Sequence, residues 1–115
     1  MSGARQSDRS GDEVTIDELL SALADARRRA VIRYFHDTLR VTATAEELAE
    51  ELAGDVVAAD SERLATVLHH ASLPKLDKAG IVEYDPATRT ARYRGEELRD
   101  PVRRLFDDVT AVVTA

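Results

Sequence analysis

Residues 64–93 read LATVLHHASLPKLDKAGIVEYDPATRTARY, and this run limits the available folds more than any other. A helical segment is stopped by Gly80. Directly beyond it, residues 81–85 and 90–94 alternate apolar and polar side chains with the period of strands. Asp85 and Pro86 suit a type I turn between them. Within the helical segment Leu64, Val67, Leu68 and Ala71 form one apolar stripe. At about 100° per residue, however, Leu73 falls nearly opposite that stripe and Leu76 about a third of a turn away. The stripe slips at Pro74, a residue that removes a backbone donor and crowds the carbonyl four positions back. Either the helix kinks there, or it runs straight and is buried on two faces.

The remaining segments supply a core for this helix and hairpin. Thr15 and Glu18 have the spacing of a capping box, and Val14 and Leu19 that of a hydrophobic staple; Ile16, Leu19, Leu20 and Leu23 continue as a helical stripe. Asp25 caps a second helix ending near Thr38 or Leu39, with Ala30, Val31, Tyr34 and Phe35 inward and Arg27, Arg28, Arg29 and Arg33 as a basic flank. The piece RVTA at 40–43 is long enough for one brief strand. Thr44 and Glu47 repeat the capping box and open a helix with Leu48 and Leu52 inward, stopped by Gly54. A loop at 55–60 leads to Asp60 or Ser61 as the next cap. Asp100 and Pro101 read as N-cap and first residue of a last helix. Its stripe is long for so small a domain, which makes Val102, Leu105, Phe106, Val109 and Val112 candidates for contact with a second copy. The expected organisation is a disordered tail over 1–13, a folded domain over 14–95 and a terminal helical element over 96–115.

The chain has 115 residues, no cysteine, and 22 acidic against 16 basic side chains. Lack of cysteine excludes disulfides, zinc-thiolate sites and thiol nucleophiles. No apolar run approaches the roughly 18 to 20 residues needed to cross a bilayer, and the first residues lack the apolar core of a signal peptide. A soluble, cytoplasmic protein with no membrane partner is expected. Lys75 and Lys78 are the only lysines. Arginine in an alanine-rich, aspartate-rich background is a composition suited to concentrated salt, where an acidic surface keeps a protein hydrated. There is no glycine-rich phosphate loop, no nucleophile beside a base and no carboxylate pair in an apolar setting, so neither an enzyme nor a cofactor is expected.

The element order is helix, helix, short strand, helix, helix, hairpin, helix, which is the order of a winged helix-turn-helix, mainly α with a small β-hairpin wing. The residues LPKLDKAGIVEYD, with LADARRRAVIRYF upstream, resemble a family of small haloarchaeal winged-helix proteins described as a domain of unknown function. More distantly they resemble ArsR-type repressors, in which a helix ending Leu-x-x-Leu-x-x-Ala-Gly and two hydrophobic residues leads into the wing. Leu73, Leu76, Ala79, Gly80, Ile81 and Val82 carry that match, together with Ala26 to Arg29. The resemblance covers residues 16–94.

It implies a DNA-binding transcriptional regulator acting as a homodimer. The helix beginning near Ser61 would enter the major groove of double-stranded DNA with Arg63, Thr66, His70 and Ser72 toward the bases. Lys75, Arg89, Arg92 and Arg94 would hold phosphates, which fix register without reading sequence. Against this stands the segment 44–60, with six acidic and no basic residues. A winged helix that docks a protein partner without DNA is therefore the alternative. In concentrated salt a basic patch adds little to DNA affinity, so its absence weighs less than usual.

Other readings compete at single positions. His69 and His70 point about 100° apart on a helix and cannot easily share one metal ion, so no metal site is expected; His69 stands where the resembling repressors have a core residue, and the resemblance implies a half-buried structural role. Arg27 to Arg29 read as a solvated helix flank in preference to a phosphate clamp. Tyr84 and Tyr93 read as core residues in preference to base-stacking ones.

Overall fold

The structure is a computed structural model, and it describes residues 15–54 and 60–114. The tail expected over 1–13, the Val14 half of the staple and most of the 55–60 loop lie outside the described residues.

Helix α1 (Ile16–Leu23) opens with the expected capping box. Thr15 Oγ1 accepts the Glu18 amide at 3.1 Å, and Glu18 Oε1 accepts the Thr15 amide at 3.2 Å. Only Ala24 and Asp25 separate it from α2 (Ala26–Thr38), whose N-cap Asp25 accepts the amides of Arg27 and Arg28. So short a joint is made possible by the arginine run. Arg28 donates from Nε to Ala22 O at 2.7 Å and from Nη2 to Ser21 O at 3.0 Å, while Arg29 donates to Leu23 O at 2.9 Å. These carbonyls belong to the last turn of α1, where helical partners run out, and Ser21 O also accepts the Ala24 amide at 3.3 Å; the cations add charged donors to them and complement the negative helix terminus. Arg28 and Arg29 are thus not a solvated flank but donors to the C-terminal end of the preceding helix, while Arg27 pairs with the N-cap Asp25 at 3.1 Å.

Leu39, in the left-handed region with φ 61°, ends α2. Strand β1 (Thr42–Thr44) starts later than the RVTA piece suggested and leads into α3 (Ala45–Leu52), whose capping box joins Thr44 and Glu47. Beyond residue 60 a single right-handed helical path covers residues 61–78. It is built of α4 (Ser61–Val67), a π-helical turn (Leu68–Ser72) and α5 (Leu73–Lys78). The π turn accounts for the slipped stripe. Its wider i to i+5 step, closed by Leu73 N donating to Leu68 O, fits one residue more than an α turn would. Leu64, Leu68, Leu73 and Leu76 therefore all enter the same core, and all are at most 1% exposed. The helix does not bury two faces, because the four leucines share one core. Ala71, expected inward, is exposed, and Ser72 is buried in its place. Pro74 stands in the first turn of α5, where a missing amide proton costs little.

Gly80, at φ 79°, turns the chain into β2 (Val82–Asp85), and β3 (Thr90–Tyr93) follows. The three strands form an antiparallel sheet in the order β1-β3-β2, with Ala91 opposite both Ala43 and Tyr84, and Arg92 opposite both Thr42 and Glu83. β2 has no strand on its outer side. There the Tyr84 amide donates instead to Asp77 Oδ2 at 2.8 Å, a side chain of α5. Tyr84 and Tyr93 are both buried, as core packing requires. Tyr93 stacks on Phe35 with centroids 5.3 Å apart and planes 10° from parallel. A 3-10 turn (Gly95–Glu97) then leads to α6 (Val102–Thr114). Gly95 is required at that turn, because a Cβ there would run into the Tyr93 ring and hydroxyl. The result is a mainly helical domain with a small three-stranded antiparallel sheet.

The outer helices depart from expectation. Ile16 and Leu20, assigned to the α1 stripe, are 41% and 49% exposed. Val102 and Phe106, assigned to a dimer contact, lie in this chain's own core because α6 packs on α1 and α2. Leu105 and Val109 are partly buried against that core, and only Val112, at 77% exposure, remains open among the five.

Arg28→Ala should lower the unfolding free energy by about 1–2 kcal/mol in urea denaturation, since it leaves two helix-end carbonyls without a charged donor. Arg33→Ala, on the exposed face of α2, should change it by less than about 0.5 kcal/mol. Deleting Ala71 should convert the π turn to an α turn and leave the leucines in register, whereas deleting Thr66 from the regular helix should rotate Leu64 away from them and unfold the domain; circular dichroism melts distinguish the two. The Tyr93 hydroxyl is buried with no hydrogen-bond partner among the described residues, and burial pushes its pKa up to about 12. A raised folded value gives stability that is complete below the unfolded value of about 10 and lost as pH rises through the folded one. Tyr93→Phe should thus be neutral or stabilising at pH 7 and should lose less stability between about pH 10 and 12 than the parent.

Candidate functional site

The helical path over residues 61–78 turns its polar side chains away from the core, and this face adjoins the hairpin. Asp60 caps it, accepting the Arg63 amide at 2.8 Å. Arg63 is 84% exposed, with its guanidinium 3.7 Å from Asp60. Thr66 is exposed one turn on, its hydroxyl donating to Glu62 O at 3.2 Å. His70 is exposed on the π turn. Arg63, Thr66 and His70 thus share one outward face, as their spacing of three and four dictates. Ser72 does not belong to it. At 2% exposure it is enclosed in the core, because the π turn moves position 72 to the inner side and position 71 to the outer. Ser72 is accordingly withdrawn from the base-facing candidates.

His69 lies half-buried behind this face, its Nδ1 2.6 Å from the Tyr84 hydroxyl. The two atoms share a hydrogen bond, which a neutral ring accepts from the phenol O–H when its own proton sits on Nε2. Desolvation holds the His69 pKa below its usual value, with the cation of Arg89 and the neighbouring His70 acting in the same direction. The ring ties the π turn to the hairpin, which is the structural role expected of it. Among the described residues no three His, Asp or Glu side chains converge as a metal site would require.

The hairpin tip is held at several points. Asp85 Oδ1 accepts the Ala87 amide at 3.0 Å, and Arg89 adopts a left-handed φ of 56°. The Arg89 carbonyl accepts the Ala45 amide at 2.9 Å, and its guanidinium reaches Glu46 at 3.0 Å. Both contacts fasten the tip to the first turn of α3. Arg92 lies between two carboxylates, Glu83 at 3.0 Å and Glu97 at 3.2 Å, and Arg94 meets Glu97 at 3.0 Å. These arginines hold the Glu97 carboxyl below its usual pKa.

The phosphate candidates therefore fall into separate places. Arg89 and Thr66 line a groove of about 310 Å³ between α3, α4 and the tip, together with Glu46, Glu50 and Glu62. Arg92 is on the outer face of the sheet beside Thr42, Glu83 and Thr90. Lys75 lies apart, in a cleft between α1 and α5 with Asp17, Glu18, Ser21 and Lys78. The cross-strand partner of Arg92 was readable, since a hairpin pairing residues 82–85 with 90–93 sets Glu83 opposite it. The Arg89–Glu46 pair joins residues 43 positions apart and has no local signal.

Residues 20–92 match the family model described as "Domain of unknown function (DUF7344)". No curated protein and no solved structure matches the chain. The matched span exceeds half of the chain and runs from the end of α1 through nearly all of β3, taking in the arginine cap, the π turn and the hairpin; the chain belongs to the DUF7344 family.

Proposed function

We propose that the protein is a winged helix-turn-helix DNA-binding regulator, related distantly to ArsR-type repressors and suited to concentrated salt. Residues 61–78 form the groove-entering helix and the β2–β3 hairpin the wing. The observation that carries this reading is the outward row of Arg63, Thr66 and His70 on a helix whose other side is anchored by four leucines. A helix anchored on one side and presenting polar side chains on the other is what base readout in a major groove demands. Arg89, Arg92 and Arg94 are the phosphate contacts of the wing, and Lys75 a further one on the far side of the helix. The protein works as a homodimer on a two-fold site, with Val112 and the exposed flanks of Leu105 and Val109 available for the contact. Among the described residues no helix is long and apolar enough to cross a membrane; a regulator of this kind acts in the cytoplasm.

A second reading, docking of a protein partner without DNA, is favoured by one observation. Each wing arginine is already paired with a glutamate, and α3 exposes Glu46, Glu47, Glu50 and Glu51. Magnitude decides between the two. Exposed ion pairs contribute about 0–1 kcal/mol each, so a phosphate can replace the carboxylate at small cost. The pairing therefore leaves the arginines usable.

Selection from a random duplex pool in about 2 M KCl tests the reading, this salt being a condition where counterion release contributes least. The protein should enrich one motif. Thr66→Ala and His70→Ala should each weaken binding to it about tenfold, the scale of one lost base contact. Ser72→Ala should alter the melting temperature and leave base preference unchanged. Failure to enrich any motif, with a protein recovered reproducibly in pull-downs at the same salt, would establish the docking reading instead.

A further inference from the structure

The hairpin and its margin hold three arginines against three glutamates. Arg89 pairs with Glu46 from α3, Arg92 with Glu83 from β2 and Glu97 from the 3-10 turn, and Arg94 with Glu97, all within 3.0–3.2 Å. The carboxylates come from three different elements, so the fold assembles this array, with only the Arg94–Glu97 pair set by local i,i+3 spacing. Every pair is partly exposed, at 24% to 61% of the side chains concerned. Lys75, by contrast, has no carboxylate within ion-pair distance among the described residues.

Ordinary DNA binders gain affinity by neutralising phosphates and releasing condensed counterions, at a slope of about −0.9 in log K against log salt for each phosphate contact. An arginine that carries its own glutamate is different. When the guanidinium turns to a phosphate, the carboxylate remains beside it, within the Debye length of about 8 Å that holds near 0.15 M salt, and brings as much negative charge as the arginine brings positive. No net charge has been delivered, so a cation stays where one would otherwise leave.

Resting on the DNA-binding reading above, we infer that the wing engages phosphate by ion-pair exchange, with Glu46, Glu83 and Glu97 as the displaced partners, and that this makes DNA affinity tolerant of salt. Of the four phosphate candidates only Lys75 then releases a counterion. The expected slope is about −1, against about −3.6 for four unaccompanied cations. The three glutamates are positioning residues: Glu83 and Glu97 hold Arg92 at the outer sheet face, Glu97 also holds Arg94, and Glu46 holds Arg89 in the groove beside α3, and together they set the salt response without touching DNA bases.

The test measures affinity for the selected duplex, or for a generic duplex, from about 0.1 to 2 M KCl. The proteins are the parent, the triple variant Glu46→Gln, Glu83→Gln and Glu97→Gln, and a control triple variant Asp17→Asn, Glu51→Gln and Asp108→Asn. The control removes the same charge from carboxylates with no arginine partner among the described residues. Melting curves establish that each variant is folded. Expected are a slope near −1 for parent and control, and a slope near −3.6 for the wing variant, which binds at least tenfold tighter at the lowest salt and loses that advantage at the highest. Equal slopes for parent and wing variant would overturn exchange while leaving DNA binding intact. Equal steepening in both triple variants would also overturn it, by assigning the effect to total charge. Lack of binding by all three proteins at every salt would overturn the DNA-binding reading and this inference together.

Discussion

The hydrogen bond from Leu73 N to Leu68 O, spanning five residues in place of four, is the constraint on which the domain turns. A regular α-helix would carry Leu73 nearly to the side opposite Leu64 and Leu68, and Leu76 about a third of a turn away from them. Two leucines would then be lost from the core, at about 2–5 kcal/mol for each one emptied. A π turn has poorer hydrogen-bond geometry, and that cost is small beside the burial it preserves. The same turn determines the outer surface, since adding one residue to the inner count moves Ala71 outward and Ser72 inward. Core and candidate interface are thus fixed by one local choice.

Arginine serves inward-directed purposes throughout the molecule. Arg28 and Arg29 close the end of α1, and Arg103 binds both Glu96 and Asp107, tying the 3-10 turn to α6. Arg89 fixes the hairpin tip to α3. A planar guanidinium with several donors can satisfy two acceptors at once, which an ammonium cannot do in a fixed geometry. A chain with 14 arginines and two lysines can therefore be rich in cations while presenting few of them unaccompanied.

Much of the architecture was legible in the residues. Both capping boxes, the glycine stops at 54 and 80 and the hairpin faces follow from short-range chemistry, and short-range chemistry is what a linear pattern records. The helix over 61–78 was readable to the point of its phase slip, but not its resolution. Helical periodicity assumes a constant step, and a π turn changes that step without changing composition. The arginine run was misread for a related reason, because its acceptors are carbonyls, which every residue possesses and no residue type announces. For the terminal helix, apolar spacing showed that a face must be covered but not by what. Val102 and Phe106 are covered by this chain itself. At the candidate site, Arg63, Thr66 and His70 were placed correctly outward, while Ser72 failed along with the constant-step assumption.

The bond from the Tyr84 amide to Asp77 has a bearing on how copies of this protein coexist. A sheet with an open outer strand invites another strand to join it, and joined edges are how soluble proteins become fibres. Asp77 occupies one of the amides that an incoming strand would need, and it places a negative charge at that margin. Wherever salting-out strengthens apolar association, such a guard opposes edge-to-edge pairing. One carboxylate on α5 thereby serves the solution state of the protein as well as its fold.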